Sequence, residues 1–178
     1  MTFARRQLAT SNQQLATRDA GFTLIELLIV MSIIIVLMLL AIPQALKLTK
    51  NANQTSAVQT MKTLAAAEMS YNSAYPTTGF GCPIAVLGGD PKAGPPSAQA
   101  AQIIDPALAT TGIKSGYVFT VTCGDKKTVN NQDIYNSVEI TGVPLSKTKG
   151  DNGYCSDENN LIKVDPTGGT NCTQSLSQ

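Results

Sequence analysis

The chain contains no histidine and no tryptophan, and only four phenylalanines and five tyrosines among 178 residues. The missing imidazole removes both the commonest general base and the commonest metal ligand. The residues therefore point to no catalytic site, no metal centre and no cofactor. Charge is scarce as well, at 14 % of residues, and 13 Lys and Arg nearly cancel 12 Asp and Glu. No strongly basic face for nucleic acid is implied by that total, and nucleic-acid binding is left open. Cys-x-x-Cys pairs are absent too, which argues against a thiolate metal site. The four cysteines, Cys82, Cys123, Cys155 and Cys172, all follow the first 50 residues. An even number confined to one region reads as two disulfides in an oxidising compartment. Three connectivities are possible; joining neighbouring segments favours Cys82 with Cys123 and Cys155 with Cys172.

What the sequence does have is one long apolar run. From Phe22 to Ile42 there are 21 residues, of which only Thr23, Glu26 and Ser32 are polar. At about 1.5 Å per residue such a helix spans a hydrocarbon layer of about 30 Å. It is apolar all round, so periodicity selects no single buried face. Glu26 stands out, because an unpaired charge inside a span costs roughly 2.5–3.5 kcal/mol on insertion scales. One account makes it local: Thr23-Leu24-Ile25-Glu26 fits the capping box, and the helix dipole favours an acid in the first turn. The other account gives Glu26 a cationic partner on a neighbouring molecule.

Gly21-Phe22-Thr23-Leu24-Ile25-Glu26 follows Arg5, Arg6 and Arg18 and precedes an apolar helix ending at Pro43. This arrangement resembles the class III signal of type IV pilins and pseudopilins. A conventional secretory signal would be cut beyond a shorter apolar segment, whereas here the break would precede a run that is kept. The resemblance implies that a prepilin peptidase cuts between Gly21 and Phe22 and N-methylates Phe22. It implies a homo-oligomeric helical filament in which Glu26 pairs with the amino terminus of a neighbouring Phe22. Further implied partners are membrane lipid before assembly and an inner-membrane assembly platform. The location would be the inner membrane, single-pass, and then an extracellular pilus. A pseudopilin of type II secretion shares the motif and is the alternative; a membrane-anchored binding or enzyme module is the second.

The implied fold is the α+β type IV pilin fold. A long N-terminal helix, its hydrophobic half protruding, packs on a small antiparallel sheet with a disulfide-closed C-terminal loop. The divisions are a leader at 1–21, a transmembrane and assembly helix at 22–43, and the amphipathic remainder of the helix at 44–75. A globular head follows at 76–178, with an αβ-loop at 76–115 and the sheet and C-terminal loop at 116–178. Without the leader the chain carries 10 basic against 11 acidic residues.

Several local expectations follow. Pro43 predicts a kink or a melted turn near residues 39–43. A stripe of Leu48, Ala52, Val58, Met61, Ala65 and Met69 is expected to pack on the head, and Tyr75-Pro76 to end the helix. Residues 76–97, rich in Gly and Pro, read as a loop, with a short helix at 98–104 closed by Asp105-Pro106. Gly116–Thr122 alternates as a strand, paired with Ile134–Thr141 through a connection at 124–132. Shorter strands are expected at Gly153–Cys155 and Leu161–Val164. Asp151, Asp157 and Glu158 invite a calcium reading, but their spacing matches no EF-hand and an acidic turn is preferred. Asn53-Gln54-Thr55 and Asn171-Cys172-Thr173 fit the glycosylation sequon, a pattern too short to carry weight.

Overall fold

The computed structural model describes residues 21–176. Residues 1–20, on which the expectations for the basic leader fall, lie outside the described residues. The chain divides into two compact units, one ending at Ala41 and one running from Ile42 to Gln178. Helix α1, Leu24–Ala74, contributes to both. No turn of α1 is lost around Pro43, contrary to the expectation of melting there. One missing backbone donor removes a single hydrogen bond, and the neighbouring turns of a 51-residue helix keep theirs.

In the first unit the apolar side chains are exposed, from Leu24 at 90 % to Ile34 at 38 %. Ser32 donates its hydroxyl to the Ile29 carbonyl at 2.7 Å, so this polar group is satisfied within the helix. The helix is long and apolar enough to cross a membrane.

In the second unit α1 becomes amphipathic. Ala57, Thr60, Met61, Leu64, Ala65, Glu68 and Tyr71 are buried, a three- and four-residue spacing that marks one helix face. The expected stripe is thus correct at Met61 and Ala65, but Leu48 and Met69 are 68 % and 46 % exposed and Ala52 is exposed. The buried face is rotated towards Leu64, Glu68 and Tyr71. α1 ends at Ala74, just before Tyr75-Pro76. Residues 84–87 form a single 3-10 turn.

The expected helix at 98–104 is absent. That segment instead lies alongside the 3-10 turn, with Ala101 and Ile103 donating to the carbonyls of Val86 and Leu87. The helix begins where the sequence suggested an end: α2 spans Pro106–Thr111. Asp105 is its cap, its Oδ1 accepting from the N–H groups of Ala107 and Leu108, and Pro106 sits in the first turn, where no donor is needed. Gly112, at φ 64°, closes α2 in the left-handed conformation that glycine adopts without strain.

Six antiparallel strands follow in sequence order: β1 Ile113–Lys114, β2 Tyr117–Val129, β3 Gln132–Pro144, β4 Gly153–Asp157, β5 Ile162–Asp165 and β6 Gln174–Ser175. Tyr117, Phe119 and Val121 alternate inward on β2 and meet Val138 and Ile140 of β3 in the core with α1. The two long strands are one hairpin, in register from Tyr117 opposite Pro144 to Val129 opposite Gln132. This corrects the connection expected at 124–132, most of which is strand. The turn is Asn130-Asn131, with φ of 52° and 60°, the sign required at both positions of a type I′ turn. The outer half of the hairpin is mostly polar and contains no buried residue, and its β2 strand shows no alternation. Lys126 reaches Asp133 at 2.7 Å, and Thr128 donates to Asp133 at 2.7 Å.

The fold is therefore α+β, a long N-terminal helix with an antiparallel sheet. Disulfides join Cys82 to Cys123 and Cys155 to Cys172.

Candidate processing and assembly site

Gly21, Phe22 and Thr23 precede α1 and are exposed, Phe22 at 88 %. A Cβ placed on Gly21 would meet nothing within 4 Å. The Gly21-Phe22 peptide lies before the first helical residue, Leu24, in exposed backbone of the kind that proteases reach.

Three hydrogen bonds tie Thr23 to Glu26. Glu26 Oε2 accepts from the Thr23 N–H at 3.1 Å and from the Thr23 hydroxyl at 3.0 Å, and Thr23 Oγ1 accepts from the Glu26 N–H at 3.3 Å. This is the reciprocal capping box. In an isolated chain the carboxylate thus has local donors, which reduces the cost of holding it in an apolar run. The capping account describes Glu26 in the single chain.

Residues 16–42 match the prokaryotic N-terminal methylation motif. The matched stretch takes in Gly21, Phe22, Thr23 and Glu26 and stops at Ile42, the last residue of the apolar run. The head lies wholly outside it. No curated protein and no solved structure matches the chain. The methylation motif points to the precursor class shared by pilins and pseudopilins, and to a structural protein.

The second unit carries three features that the sequence did not single out. Glu68 is 1 % exposed; its Oε2 accepts from the Gly81 N–H at 2.8 Å, and its Oε1 is buried with no partner among the described residues. Burial pushes its pKa from the ordinary 4.5 up to about 7, against the opposing pull of the Gly81 hydrogen bond. Its spacing from Met61, Leu64 and Ala65 was the signal that could have found it. Glu68 fastens the segment before Cys82, and Phe80 N–H bonds the Tyr135 carbonyl at 3.0 Å, so helix, loop and hairpin meet there. Gly79, at φ 79°, lets that segment lie directly against the Tyr135 backbone, where a side chain would collide.

Asp165, also buried, organises the C-terminal loop. Its Oδ1 accepts from the Thr167 N–H and hydroxyl, and its Oδ2 from the Asn171 N–H at 3.0 Å. The Thr167 hydroxyl, above all, holds this carboxyl below the usual range. The third feature is a cleft of about 480 Å³ on the sheet face away from α1, walled by Cys155–Cys172. Glu139, Asp157, Glu158 and Lys163 line it. The acidic turn expected at 157–160 is present: Asp157 Oδ1 accepts from the Asn159 N–H, and its carbonyl from the Asn160 N–H. Asp157 also lies 3.5 Å from Lys163, while Asp151 pairs with Lys50 at 2.8 Å.

Proposed function

We infer that this chain is the precursor of a type IV pilus subunit. It is cut between Gly21 and Phe22 by a prepilin peptidase, N-methylated at Phe22, and drawn from the inner membrane into an extracellular filament by an assembly platform. Residues 1–21 are the leader, 22–43 the membrane and assembly helix, 44–75 the amphipathic helix and 76–178 the head. The observation that carries this reading is the coincidence of the methylation motif with the start of an exposed apolar helix.

The mechanism is a change of surroundings for one helix. Exposed Leu, Ile and Val side chains each gain about 1.5–3 kcal/mol on leaving water. Lipid supplies that environment first, and the helices of identical copies supply it afterwards. Cleavage frees a primary amine at Phe22, methylation makes it secondary, and either form is cationic at neutral pH. Glu26 of a neighbouring copy then receives it, and a charge pair in low dielectric sets the axial step, since an unpaired carboxylate there is costly. Pro43 marks the join between the assembly helix and the amphipathic remainder of α1. Two disulfides brace the head for life outside the cell, which favours a surface pilus over the shorter pseudopilus of type II secretion.

The test is Glu26→Ala in cells that hold the assembly machinery. The variant should reach the membrane and be processed, yet give few sheared surface fibres. Fibres at the unsubstituted yield would restrict Glu26 to capping.

A further inference from the structure

The head has two ends of opposite charge. At one end, Lys50 on α1 pairs with Asp151, the Asn53 side chain donates to the Lys149 carbonyl at 3.1 Å, and the hydroxyls of Ser56 and Ser115 are 2.8 Å apart. These contacts fix the β1–β2 turn and the β3–β4 connection beside residues 50–56 of α1. Lys149 lies over Gly116, whose added Cβ would meet its side chain at 3.0 Å. Lys114 and Lys147 are exposed at the same end, the Lys147 ammonium donating to the Thr167 carbonyl. Its carboxylates are Asp151, already paired, and Asp165, buried among its own loop donors.

The other end is level with Glu68, where Gly81 and Cys82–Cys123 tie α1 to β2. From Lys50 to Glu68 α1 rises about 27 Å. Here Glu139 stands directly opposite Asp157 in the β3–β4 register, with Glu158 next in sequence and only Lys163 as a balancing cation in the cleft. Like charges set opposite one another across two strands destabilise a sheet. The head alone gains nothing from this arrangement, and ammonium groups arriving from outside would relieve it.

We propose that the partner for this cleft is a second copy of the chain: Lys114, Lys147 and Lys149 at the basic end of one head dock on Glu139, Asp157 and Glu158 of the next. The inference rests on the filament reading. Copies displaced from one another along the Lys50–Glu68 part of α1 bring the basic end of one head to the acidic end of another. Such a contact is heterologous, joining two different patches, and it propagates into an open helical assembly. Displacement along α1 sets basic against acidic throughout the fibre, so charge steers register and rejects a copy docked the wrong way. The cleft is roomy enough to admit lysine side chains.

The test uses the full chain in cells that assemble it. Glu139→Lys with Glu158→Lys reverses the cleft, Lys147→Glu with Lys149→Glu reverses the basic end, and a third chain carries all four. Fibre yield after shearing should fall about tenfold for each reversed pair and recover to within about twofold when both are reversed. Mature mass and thermal melting in detergent should match the unsubstituted chain. If a reversed chain does not melt cooperatively, Glu139→Gln with Glu158→Gln replaces it and should lower fibre yield at low salt while flattening its dependence on salt. Normal yield from each folded reversed pair, or no recovery in the fourfold variant, overturns the proposal. So does a loss confined to binding of anionic lipid vesicles, which would assign the lysines to a membrane surface. Absence of fibres from the unsubstituted chain would overturn the filament reading itself, a result separable from every variant effect.

Discussion

In α1, the residues up to Leu48 and those from Ala57 onwards share one backbone geometry and treat most apolar side chains in opposite ways. In the later part, Met61 and Leu64 are fully buried and Tyr71 is 1 % exposed, against strands of the same unit. In the earlier part, Leu28, Ile33 and Leu37 are each more than half exposed. The later stretch is covered by its own chain, whereas the earlier one is left exposed by it. Amphipathicity therefore marks the part of the helix that serves folding of the head.

Truncating one leucine in each part should break the comparison most visibly. Leu64→Ala should cost the head about 2–5 kcal/mol, because it leaves a cavity in a packed core. Leu28→Ala should leave head melting unchanged. Thermal unfolding of the full chain in detergent, followed by near-ultraviolet circular dichroism, measures both, and equal losses would show that the two parts fold as one.

The acids of α1 sharpen the same contrast. Glu26 finds its donors within its own first turn, while Glu68 is buried with one oxygen unmatched. Because the folded-state pKa of Glu68 is raised, the native head binds an extra proton between its ordinary 4.5 and about 7. Stability should fall as pH rises through that window and stay level above it, by on the order of 3 kcal/mol for this group. Glu68→Gln should flatten that fall and leave the head more stable at pH 8. Urea titrations at pH 4.5, 6 and 8 would check this, and an unchanged slope in the variant would remove Glu68 as the cause.

The smallest effect is expected at the other helix. Asp105→Ala deletes the cap of α2 and should cost about 1 kcal/mol, with a Tm a few degrees lower. Asp105→Asn should retain most of the stability. Equal losses for the two substitutions would mean that the carboxylate charge matters more than the cap.

Where one force dominates, the structure was legible in the sequence. Twenty-one nearly uninterrupted apolar residues admit few readings, and Tyr75-Pro76 ends α1 for a steric reason. The inner half of the β2–β3 hairpin, Tyr117 to Val121, shows its buried face by alternation. Its outer half did not, since Lys126, Thr128 and Asp133 hold one another at a surface where both faces are wet. The signal there was Asn130-Asn131, a pair that tolerates positive φ, and it was read as part of a longer loop. The alanine-rich stretch at 98–104 suggested a helix by propensity, but its backbone bonds go to the 3-10 turn beside it, a tertiary preference that propensity cannot reveal. Gly21, Phe22 and Glu26 were identifiable from a contiguous motif. Glu68 and the opposed Glu139 and Asp157 were not, because they depend on helix phase and strand register.

The central claim is that the chain is opened at one bond, so that an apolar helix with a new amino terminus can pass from lipid to copies of itself. Intact-mass measurement of the protein extracted from cells containing the peptidase tests it most directly. The account predicts a chain that begins at Phe22 and is heavier by one methyl group on its amino terminus. A chain still beginning at Met1, or one cut at any bond other than Gly21-Phe22, would contradict it.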